Sequence, residues 1–505
     1  MADSPHFRIG TRGSDLAMWQ AHHVRDLILG NGGTCDITIL STQGDREQVQ
    51  AFEKLEGKGF FTKEIEQALL EDRIDLAVHS HKDLETRQPD GLCIAAVPDR
   101  AAAEDVLLIH PRAHRSAPWL PLFHGARVGT SSVRRRDQLL LLRPDLNIQA
   151  LRGNVPTRVQ RLKEGQYDAI VLAAAGLDRL DLDLEDLHTV RMDPRHFVPA
   201  PAQGALALQM RENDDRVEWL SQLSTPDVSE AIEAERSVLR ALEGGCQLPF
   251  GAHQATPDTL LRCFLQTEQG PLRIKASSAQ EALERLEDRP PRRLVITRAP
   301  KPGDALHRLA TGSGDELIEW PAALPTPPTN SAPLPSDIQW VWLGSPGAAR
   351  VVAQWLVDHP HIHIAAAGPG TADALSEELR QRIAYCGTGD PQVALGAFLK
   401  DRAEGESVGL PHSEVSLRRW ENVDTLAKLH PWVAYTMKPN EGIPPGGDVV
   451  CFTSPSNVQY WTGPEPKRIV ALGTTTSKVL TERGWAHRVA EHPDAFGIWE
   501  AMQER

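Results

Sequence analysis

The sequence is poor in cysteine, and the few cysteines lie far apart. The 505 residues contain six of them, Cys35, Cys93, Cys246, Cys263, Cys386 and Cys451, and no two form a CxxC pair. This spacing fits neither a zinc site nor a disulfide framework, so we expect no metal site and a reducing, cytoplasmic location. A cysteine with a special role must therefore act singly.

The chain also lacks an excess of positive charge and a long hydrophobic run. Its 54 Lys and Arg residues against 68 Asp and Glu residues give a net charge of -14. This balance argues against a general nucleic-acid-binding protein, although it allows a local basic pocket. No apolar run approaches a membrane span, and Met1 to Asp15 lacks the apolar segment of a secretory signal. The length of 505 residues predicts about three or four domains, and 41% hydrophobic residues are typical of a globular protein.

What the sequence does contain is a polar stretch directly after an apolar run. Residues 74–78 predict a buried strand, and His79, Ser80, His81, Lys82 and Asp83 follow where the strand ends. Open α/β sheets place their chemistry at such ends. The alternative is a solvated ion pair of Lys82 and Asp83 at a strand end, and this stretch alone does not decide between the two.

Arginine, serine and glycine recur at further predicted strand ends. The alternation of strands and helices predicts right-handed crossovers and a largely parallel sheet, which is an α/β fold. Ser131 or Ser132 can cap a helix whose first turn carries two arginines, and basic residues there oppose the helix dipole unless an anion binds. We therefore expect a ligand rich in carboxylate or phosphate. The residues of this kind are Arg12, Ser14, Thr130, Ser131, Arg134, Arg135, Arg152, Arg158 and Arg179.

Two predicted loops complete the candidate site. Cys246 follows Gly244 and Gly245, which allow a close backbone approach, so its polar and flexible surroundings favour covalent chemistry over the usual role of a lone cysteine as a small hydrophobe. The segment KLEGKGFF, which begins at Lys54 and includes Lys58, predicts a mobile loop over a site. On its own, that segment is read more simply as a surface loop.

Beyond residues 289–293, a Pro- and Arg-rich linker, the composition changes and a unit repeats. WLGSPGAARVV and AAAGPGTADAL in one half correspond to VCFTSPSNVQYW and VALGTTTSKVL in the other. Each predicts a strand, a Ser-Pro or Gly-Thr turn and a helix. The repetition predicts two α/β lobes that face a cleft.

These residues carry a resemblance to two families. Residues 7 to about 287 closely resemble hydroxymethylbilane synthase, also called porphobilinogen deaminase, through RIGTRGS, KLEGKGFFTKEIE, DLAVHSHKDL, GTSSVRRR, LRGNVPTR, DAIVLAAAGLDRL, PAQGAL and GGCQLP. Residues 292–505 resemble uroporphyrinogen-III synthase through RLVITRA, the Gly-Pro-Gly-Thr and FTSPS turns and ALGTTT.

The resemblance implies a multidomain architecture. It predicts two α/β domains like those of periplasmic binding proteins and a small α+β domain, followed by a two-lobed α/β synthase-like domain. The expected boundaries are 1–98 with 197–222 for the first domain, 99–196 for the second, 223–288 for the third, 289–293 for the linker and 294–505 for the synthase-like domain.

For the deaminase part, the resemblance implies a dipyrromethane cofactor bound through a thioether to Cys246. Four porphobilinogen units are added with loss of ammonia, and water releases hydroxymethylbilane. Asp83 is the acid that steadies the cationic azafulvene and moves its proton, and Lys82 assists. The residues expected to bind cofactor are Ser14, Lys82, Asp83, Thr130, Ser131, Arg134 and Arg135, and those expected to bind substrate are Arg12, Lys54, Lys58, Arg152, Arg158, Arg179 and Gln203.

The sequence departs from the deaminase pattern at two places. The family usually has a basic or imidazole residue before the acid that corresponds to Asp105, whereas Glu104 stands here, so one contact near the domain hinge is in doubt. Pro156 replaces a usual glycine and should stiffen the turn before Arg158.

For the second part, the resemblance implies closure of hydroxymethylbilane with loss of water and inversion of the last ring. Tyr435 corresponds to a tyrosine that assists departure of the hydroxyl, and Ser454, Ser456, Thr475 and Thr476 lie on turns expected to bind carboxylates. The alternative for Tyr435 is a half-buried strand residue anchored by its hydroxyl. These turns are also poor in basic residues, which leaves room for an inactive domain.

Three hypotheses follow. The chain is a bifunctional enzyme that makes uroporphyrinogen III, a deaminase with a silent C-terminal domain, or a two-lobed anion-binding module. Cys246 together with Asp83 argues against the binding module, which needs neither group. We expect a monomer that binds porphobilinogen and hydroxymethylbilane, and neither nucleic acid nor membrane.

Overall fold

In the computed structural model, the described part of the chain contains five β-sheets. The residues that the structure describes are 4–40, 62–115, 120–242, 248–287, 290–300, 304–326, 337–372, 374–387, 391–401, 405–413, 428–492 and 494–503. Lys54, Lys58 and Cys246 lie outside them. Among the described residues, no helix is both long and apolar enough to cross a membrane.

The N-terminal part, to residue 287, contains three of the sheets. Its elements are β1 (His6–Thr11), α1 (Asp15–Gly30), β2 (Thr34–Ile39), α2 (Lys63–Leu70), β3 (Leu76–Ser80), β4 (Leu92–Ala96), β5 (Asp105–Ile109), β6 (Arg127–Gly129), α3 (Val133–Leu142), β7 (Asn147–Gln149), α4 (Val155–Lys163), β8 (Ala169–Ala173), α5 (Ala174–Leu180), β9 (His188–Met192), β10 (Leu206–Arg211), α6 (Val217–Ser221), α7 (Pro226–Ala241), β11 (Phe250–His253), β12 (Leu261–Thr267), β13 (Gly270–Ala276) and α8 (Ala279–Glu287).

The C-terminal part contains the other two sheets. Its elements are β14 (Arg293–Ile296), α9 (Ala305–Gly312), β15 (Glu316–Glu319), β16 (Ala323–Thr326), β17 (Trp340–Leu343), α10 (Pro346–Asp358), β18 (His363–Ala366), α11 (Pro369–Ala372), α12 (Glu377–Gln381), β19 (Ile383–Cys386), α13 (Pro391–Asp401), β20 (Ser407–Ser413), β21 (Lys428–Pro439), β22 (Val449–Phe452), α14 (Pro455–Gln459), β23 (Ile469–Ala471), α15 (Thr474–Glu482), β24 (Arg488–Val489) and α16 (Ala495–Gln503).

The first two sheets share one pattern. The first has the order β2-β1-β3-β10-β4 and the second the order β7-β6-β8-β5-β9. Each begins with three parallel strands, and each then receives one antiparallel strand, β10 or β5, that the chain supplies after crossing from the other sheet. We call the first sheet with its helices the first unit, and the second sheet with its helices the second unit.

The chain crosses between these units twice, at residues 97–104 and at residues 193–205, and these two crossing segments lie side by side. Arg100 and Ala205 form an antiparallel bridge, and the Ala101 N–H donates to the Gly204 carbonyl at 3.2 Å. Gly204 has a φ of 91°, and a Cβ on it would lie 2.3 Å from the Ala101 carbonyl oxygen. Only glycine fits this close approach, which explains the PAQGAL motif at the crossing.

The third sheet is the small antiparallel ladder β11-β12-β13, with α7 and α8 packed on it, and we call this the third unit. Apolar runs at 260–266 and 272–276 predict two of its strands, and the patterns at 230–242 and 279–287 predict both helices, whereas β11 was not predicted. Their apolar residues, among them Val238, Ile274 and Ala282, form one buried cluster. A small α+β unit is therefore present, as the resemblance implies.

The C-terminal part consists of two lobes. The first lobe has the wholly parallel sheet β15-β14-β22-β23-β24, and the second has the sheet β16-β21-β20-β17-β18-β19, in which only the β16–β21 pair is antiparallel. The chain passes from the first lobe to the second and back. The Asn440 side chain fastens the return by donating to the Pro321 carbonyl at 3.0 Å.

The predicted repeat is present, with one half in each lobe. Ser345 begins α10 after β17, and Ser454 begins α14 after β22. In both, the serine side chain accepts the N–H of the third helical residue and a proline follows at the start of the helix, which is the usual construction of a capped helix start. Together, the five sheets confirm the predicted α/β class. The residue numbers of the domain boundaries stay a prediction.

One local prediction is wrong. The apolar run 168–175 predicts a strand that ends after Ala175, but β8 ends at Ala173 and α5 begins at Ala174. Arg179 therefore lies in a helix. Alanine and leucine favour helix strongly, and an apolar run alone does not show where a buried strand gives way to a buried helix.

Candidate active site

The centre of the candidate site is a tight turn directly after β3. His81–Asp83 form a single 3₁₀ turn, in which Lys82 is half-buried and Asp83 is exposed. The Lys82 ammonium donates to Gln203 Oε1 at 3.3 Å, across the crossing segments. Burial lowers the pKa of Lys82 to about 8; Asp83 opposes this effect and Arg135 adds to it. The predicted strand-end placement of Lys82 and Asp83 is therefore observed.

This turn is held from the third unit by Arg236 on α7. The buried guanidinium donates to three backbone carbonyls, those of His81 at 3.0 Å, Leu84 at 3.4 Å and Glu85 at 2.6 Å. Sequence reasoning missed this residue, because an arginine within a helix is normally a surface residue and its partners lie about 150 positions away. The signal in the sequence is weak: Ile232 and Arg236 are four residues apart, on the same buried face of α7.

Arg134 and Arg135, at the start of α3, pair with a buried carboxylate. Arg134 Nη1 lies 2.8 Å from Asp105 Oδ2, and Arg135 donates twice to Asp105 Oδ1, at 2.7 and 3.0 Å. Burial alone would raise the pKa of Asp105, but the two guanidinium groups outweigh it and hold this pKa well below its usual range. Two positive charges against one negative charge leave the cluster positive, as an anion site requires.

Gln203 connects this cluster to the turn. Its amide nitrogen donates to the Ala103 carbonyl at 2.7 Å and to Asp105 Oδ1 at 3.0 Å, while its amide oxygen accepts from Lys82. Gln203 is 1% exposed. The side chain is therefore part of a continuous polar chain from Lys82 to the arginines, and its predicted contact with substrate stays a prediction.

The hydroxyl residues before α3 bind backbone groups. Ser132 caps the helix by accepting the Arg135 N–H at 3.4 Å, and the Ser132 N–H donates to Thr130 Oγ1 at 3.2 Å. The Ser131 hydroxyl donates to the Leu151 carbonyl at 2.8 Å and so joins the loops after β6 and β7. Of the two caps that the sequence allows, the structure uses Ser132.

Three predicted ligand residues lie in the loops that follow β1 and β7. Ser14 caps α1 by accepting the Ala17 N–H at 3.4 Å; half-buried Arg12 and exposed Arg152 lie just beyond β1 and β7. Their arrangement at successive strand ends agrees with the predicted pattern.

Arg158 and Arg179 approach from α4 and α5. Arg158 Nε donates to the Gly153 carbonyl at 2.7 Å. Burial lowers the pKa of Arg158, Arg135 lowers it further, and Asp83 raises it. Arg158 of the second unit therefore interacts electrostatically with Asp83, on the turn of the first unit. Arg179 donates to the Gly204 carbonyl at 2.8 Å, and its guanidinium carbon lies 5.3 Å from the centre of the Trp19 ring.

In the C-terminal part, Tyr435 lies on β21 beside the start of α10. Its hydroxyl is 3.5 Å from Ser345 Oγ, and the residue is 8% exposed. A Cβ on Gly347 would lie 3.3 Å from this hydroxyl, so the first turn of α10 leaves room for it. Both readings of Tyr435, as a catalytic group and as an anchored strand residue, are compatible with this geometry.

The other predicted residues of this part are at helix starts. Ser454 caps α14 and also accepts from the Asn457 side chain at 2.9 Å, while Ser456 is half-buried in the first turn. Thr475 is exposed and Thr476 is buried in the first turn of α15. Sequence reasoning missed His412 at the end of β20, which is buried and whose Nε2 has no hydrogen-bond partner among the described residues.

Known families match the chain in three successive segments. Residues 7–219 match the model "Porphobilinogen deaminase, dipyromethane cofactor binding domain", residues 229–286 match "Porphobilinogen deaminase, C-terminal domain", and residues 304–500 match "Uroporphyrinogen-III synthase HemD".

Individual proteins match it as well. A porphobilinogen deaminase of Nitratidesulfovibrio vulgaris strain DP4 is 48% identical over 252 residues, which are 49% of this chain and 78% of that protein. A porphobilinogen deaminase of Acidithiobacillus ferrooxidans strain ATCC 23270 is 45% identical over 272 residues, 53% of this chain and 87% of that protein. The crystal structure of uroporphyrinogen-III synthetase from Helicobacter pylori 26695 superposes with a TM-score of 0.31 and 16% identity, over 42% of this chain and 100% of that one.

Fold, site and matches define a class: an α/β enzyme of tetrapyrrole biosynthesis that acts on small pyrrole substrates, with a dipyrromethane cofactor-binding domain at its N-terminus. The chain belongs to the porphobilinogen deaminase family and carries a uroporphyrinogen-III synthase HemD domain fused behind the deaminase. Both resemblances predicted from the sequence are confirmed.

Proposed function

We propose that the chain converts porphobilinogen into uroporphyrinogen III with two activities. The deaminase part joins four porphobilinogen units into hydroxymethylbilane and releases ammonia, and the C-terminal part closes this product with loss of water and inversion of the last ring. The observation that supports the first activity is that the acid Asp83 lies beside the positive cluster of Lys82, Arg134 and Arg135. Asp83 and Lys82 are on a turn that Arg236 holds in place. The HemD match supports the second activity.

The residues present fit a dipyrromethane group. This group carries four carboxylates, and the site offers arginines and the hydroxyl residues before α3. Arg179 Nε is buried and has no hydrogen-bond partner among the described residues, so a donor is left over for a ligand. When bound, the group supplies the pyrrole carbon to which the first substrate unit is joined.

We propose that a thioether to Cys246 holds this group. The thiol belongs to the segment between α7 and β11. Arg236 on α7 binds the backbone of the turn with Asp83, so the helix that leads towards Cys246 is fixed relative to the proposed acid. Covalent attachment would keep the growing pyrrole chain on the protein throughout four additions, so that one acid can serve each of them.

Asp83 is the proposed catalytic acid. Loss of ammonia breaks a carbon–nitrogen bond of porphobilinogen and leaves a cationic azafulvene with an N–H. An exposed carboxylate can accept that N–H and stabilise the positive charge while the new carbon–carbon bond forms, and it can take the proton that the attacked pyrrole then loses. Lys82 counters the negative charge of the substrate carboxylates.

The remaining basic residues are proposed to bind acetate and propionate groups. The planar guanidinium group of arginine forms charge-assisted hydrogen bonds with carboxylates, and these bonds would hold the growing pyrrole chain without taking part in the chemistry. The residues proposed to bind the cofactor are Ser14, Lys82, Asp83, Thr130, Ser131, Arg134 and Arg135, and those proposed to bind substrate are Arg12, Lys54, Lys58, Arg152, Arg158, Arg179 and Gln203.

In the C-terminal part, Tyr435 is proposed to assist departure of the hydroxyl. Its own hydroxyl lies at the N-terminal end of α10, where backbone N–H groups favour a developing negative charge. Ser454, Ser456, Thr475 and Thr476 are proposed to bind substrate carboxylates at the starts of α14 and α15. We further propose a cytoplasmic monomer that binds no nucleic acid, a view supported by the scattered cysteines and the net charge of -14.

Two variants test the deaminase assignment. Asp83→Asn should keep the bound pyrroles, seen as extra mass and as colour with Ehrlich's reagent, but should lose turnover. Cys246→Ala should lack the extra mass altogether, and Cys263→Ala is its matched control because Cys263 is buried in β12. Normal turnover of Asp83→Asn, or the usual mass increment on Cys246→Ala, would overturn these roles.

A further inference from the structure

The first lobe of the C-terminal part packs against the deaminase part through one continuous hydrophobic cluster. From the deaminase side it contains Leu141, Val198 and Phe264, and from the lobe it contains Leu309 and Trp499. None of these five residues is more than 2% exposed. The contact therefore has the dry, apolar centre of a stable interface.

Two glycines meet at the edge of this cluster. Gly312, the last residue of α9, lies against Gly270 and Pro271 at the start of β13, and a Cβ on Gly312 would lie 2.4 Å from the Pro271 carbonyl oxygen. A Cβ on Gly270 would lie 3.0 Å from the Gly312 Cα. The backbones of the lobe and of the third unit therefore touch directly, and side chains at these positions would force them apart.

Polar contacts surround the apolar centre. Trp499 Nε1 donates to the Arg273 carbonyl at 3.1 Å, and the Arg273 guanidinium carbon lies 4.3 Å from the centre of the Phe496 ring. Lys275 forms an ion pair with Glu500 at 2.7 Å, and both side chains are largely buried. Strand β13 thus presents alternate side chains, Arg273 and Lys275, to α16.

The second unit takes part as well. The Arg308 guanidinium of α9 donates to the Leu141 carbonyl at the end of α3. Arg273 also donates to the His196 carbonyl at 2.7 Å, where the chain leaves the second unit for the crossing. Arg195 pairs with Glu491 of the lobe at 2.9 Å. The lobe therefore contacts both the second and the third units.

We propose that the C-terminal part is a docked partner of the deaminase part, bound through α9 and α16 to β13 and α3 with a fixed orientation, and that the docking persists without a covalent connection. Only residues 288–292 separate α8 from β14, but the interface has an apolar centre, backbone contact and buried charge pairs of its own. The proposal goes beyond the two activities and requires neither.

Cutting the folded chain tests this proposal. A specific protease site is inserted at residues 288–289, the full-length protein is purified and cut, and the products are followed by size-exclusion chromatography over a dilution series. We expect the two fragments to elute together at the volume of the uncut chain. Separate elution at every concentration would overturn the proposal, whatever the activities of the two parts.

A matched pair of glycine variants tests the interface itself. Gly312→Ala introduces a methyl group against the backbone of β13 and should raise the fragment concentration needed for half-association by about 10- to 100-fold. Gly396→Ala is the control, since a Cβ on Gly396 in α13 meets nothing within 4 Å. Equal dissociation of the two variants would contradict the proposed contact.

Hydrogen exchange on the uncut chain gives an independent measurement. In Gly312→Ala, amides of 270–276 should exchange faster than in the wild type, while amides of 76–80 in β3 should be unchanged. Glu500→Gln should show a smaller increase at the same amides, because it keeps the shape and removes one charge. Unchanged exchange at 270–276 in both variants would show that the lobe does not protect this strand.

Discussion

The Asp105 carboxylate accepts two hydrogen bonds from Arg135, at 2.7 and 3.0 Å, where neither side chain is more than 9% exposed. Arg134 binds the other oxygen of the same carboxylate. The three residues join β5 to α3 at the junction of the first and second units. The carboxylate is the counter-charge that allows two adjacent arginines to be buried beside the proposed anion site.

The first prediction concerns this buried triad. Asp105→Ala should lower the free energy of unfolding by about 3–5 kcal/mol, because it leaves two buried guanidinium groups without their counter-charge. Asp168→Ala is a suitable comparison: Asp168 binds Arg127 and Arg112, whose side chains are 39% and 46% exposed, so water can replace it. Urea unfolding measures both. A loss for Asp105→Ala no larger than that for Asp168→Ala would contradict the account.

The second prediction concerns pH. Burial lowers the pKa of Lys82 to about 8, so this side chain loses its charge as the pH rises through 8, and kcat/KM for porphobilinogen should fall there. The stability of the fold should change with pH in the opposite direction to kcat/KM. Between pH 8 and the ordinary lysine pKa, the unfolded chain binds more protons than the folded chain, so the free energy of unfolding should rise with pH.

Lys82→Arg separates this effect from other titrations. Arginine stays charged, so the fall in kcat/KM near pH 8 should disappear in the variant even if its absolute rate is lower. The measurement is a pH–rate profile from pH 6 to 10 for both proteins. An identical fall in the variant would assign it to another group, such as the amine of the substrate.

The third prediction concerns Arg236 as a positioning residue. Arg236→Met removes the donors to the carbonyls of His81, Leu84 and Glu85, so the turn with Asp83 should shift and kcat should fall by about 10- to 100-fold. The mass of the bound pyrroles should not change. Arg240→Met is the control, since Arg240 lies one turn further along α7, pairs with exposed Glu233 at 3.1 Å and donates to the backbone after the turn only at the Thr86 carbonyl, at 3.4 Å. Loss of stability with unchanged kcat would indicate a structural role only.

The fourth prediction concerns Tyr435. Tyr435→Phe keeps the ring in its buried place and removes the hydroxyl beside Ser345, so the share of the type I isomer made from porphobilinogen should rise while deaminase turnover stays constant. Tyr460→Phe, at the end of α14, should leave the isomer ratio unchanged. If Tyr435→Phe makes the same isomers as the wild type, the hydroxyl only anchors the strand.

Much of the fold is readable from the sequence, because the motifs lie where apolar periodicity changes. Helix starts at Ser14, Ser345 and Ser454 have short-range signals, a capping side chain followed by a helical pattern, and the structure has all three. The predicted end of β8 was wrong, because the end of the strand and the start of the following helix are both apolar. Local sequence signals thus predict which helices and strands form better than they predict the residues at which these elements begin and end.

The contacts within the site were less predictable. The sequence places Arg134, Arg135 and Lys82 at strand ends, but it gives no sign that Asp105 and Gln203 connect them. These partners are 29 to 121 residues apart along the chain. Pairing over such separations depends on how the two crossing segments pack, and a single sequence does not contain that information in a readable form.

The interface between the two enzyme parts was also beyond the sequence. A short Pro- and Arg-rich connection suggests restricted orientation, yet Gly270 and Gly312 look like ordinary turn and helix-end glycines. Only the three-dimensional contact shows that both are needed for close packing.

The most direct test of the bifunctional assignment is an isomer analysis. The purified full-length protein is given porphobilinogen alone, the product is oxidised, and the uroporphyrin isomers are separated by chromatography. The account predicts mainly uroporphyrin III, because the C-terminal part closes hydroxymethylbilane before it cyclises spontaneously. Mainly uroporphyrin I would show that the deaminase works while the C-terminal part does not act as a synthase, and that result would contradict the account.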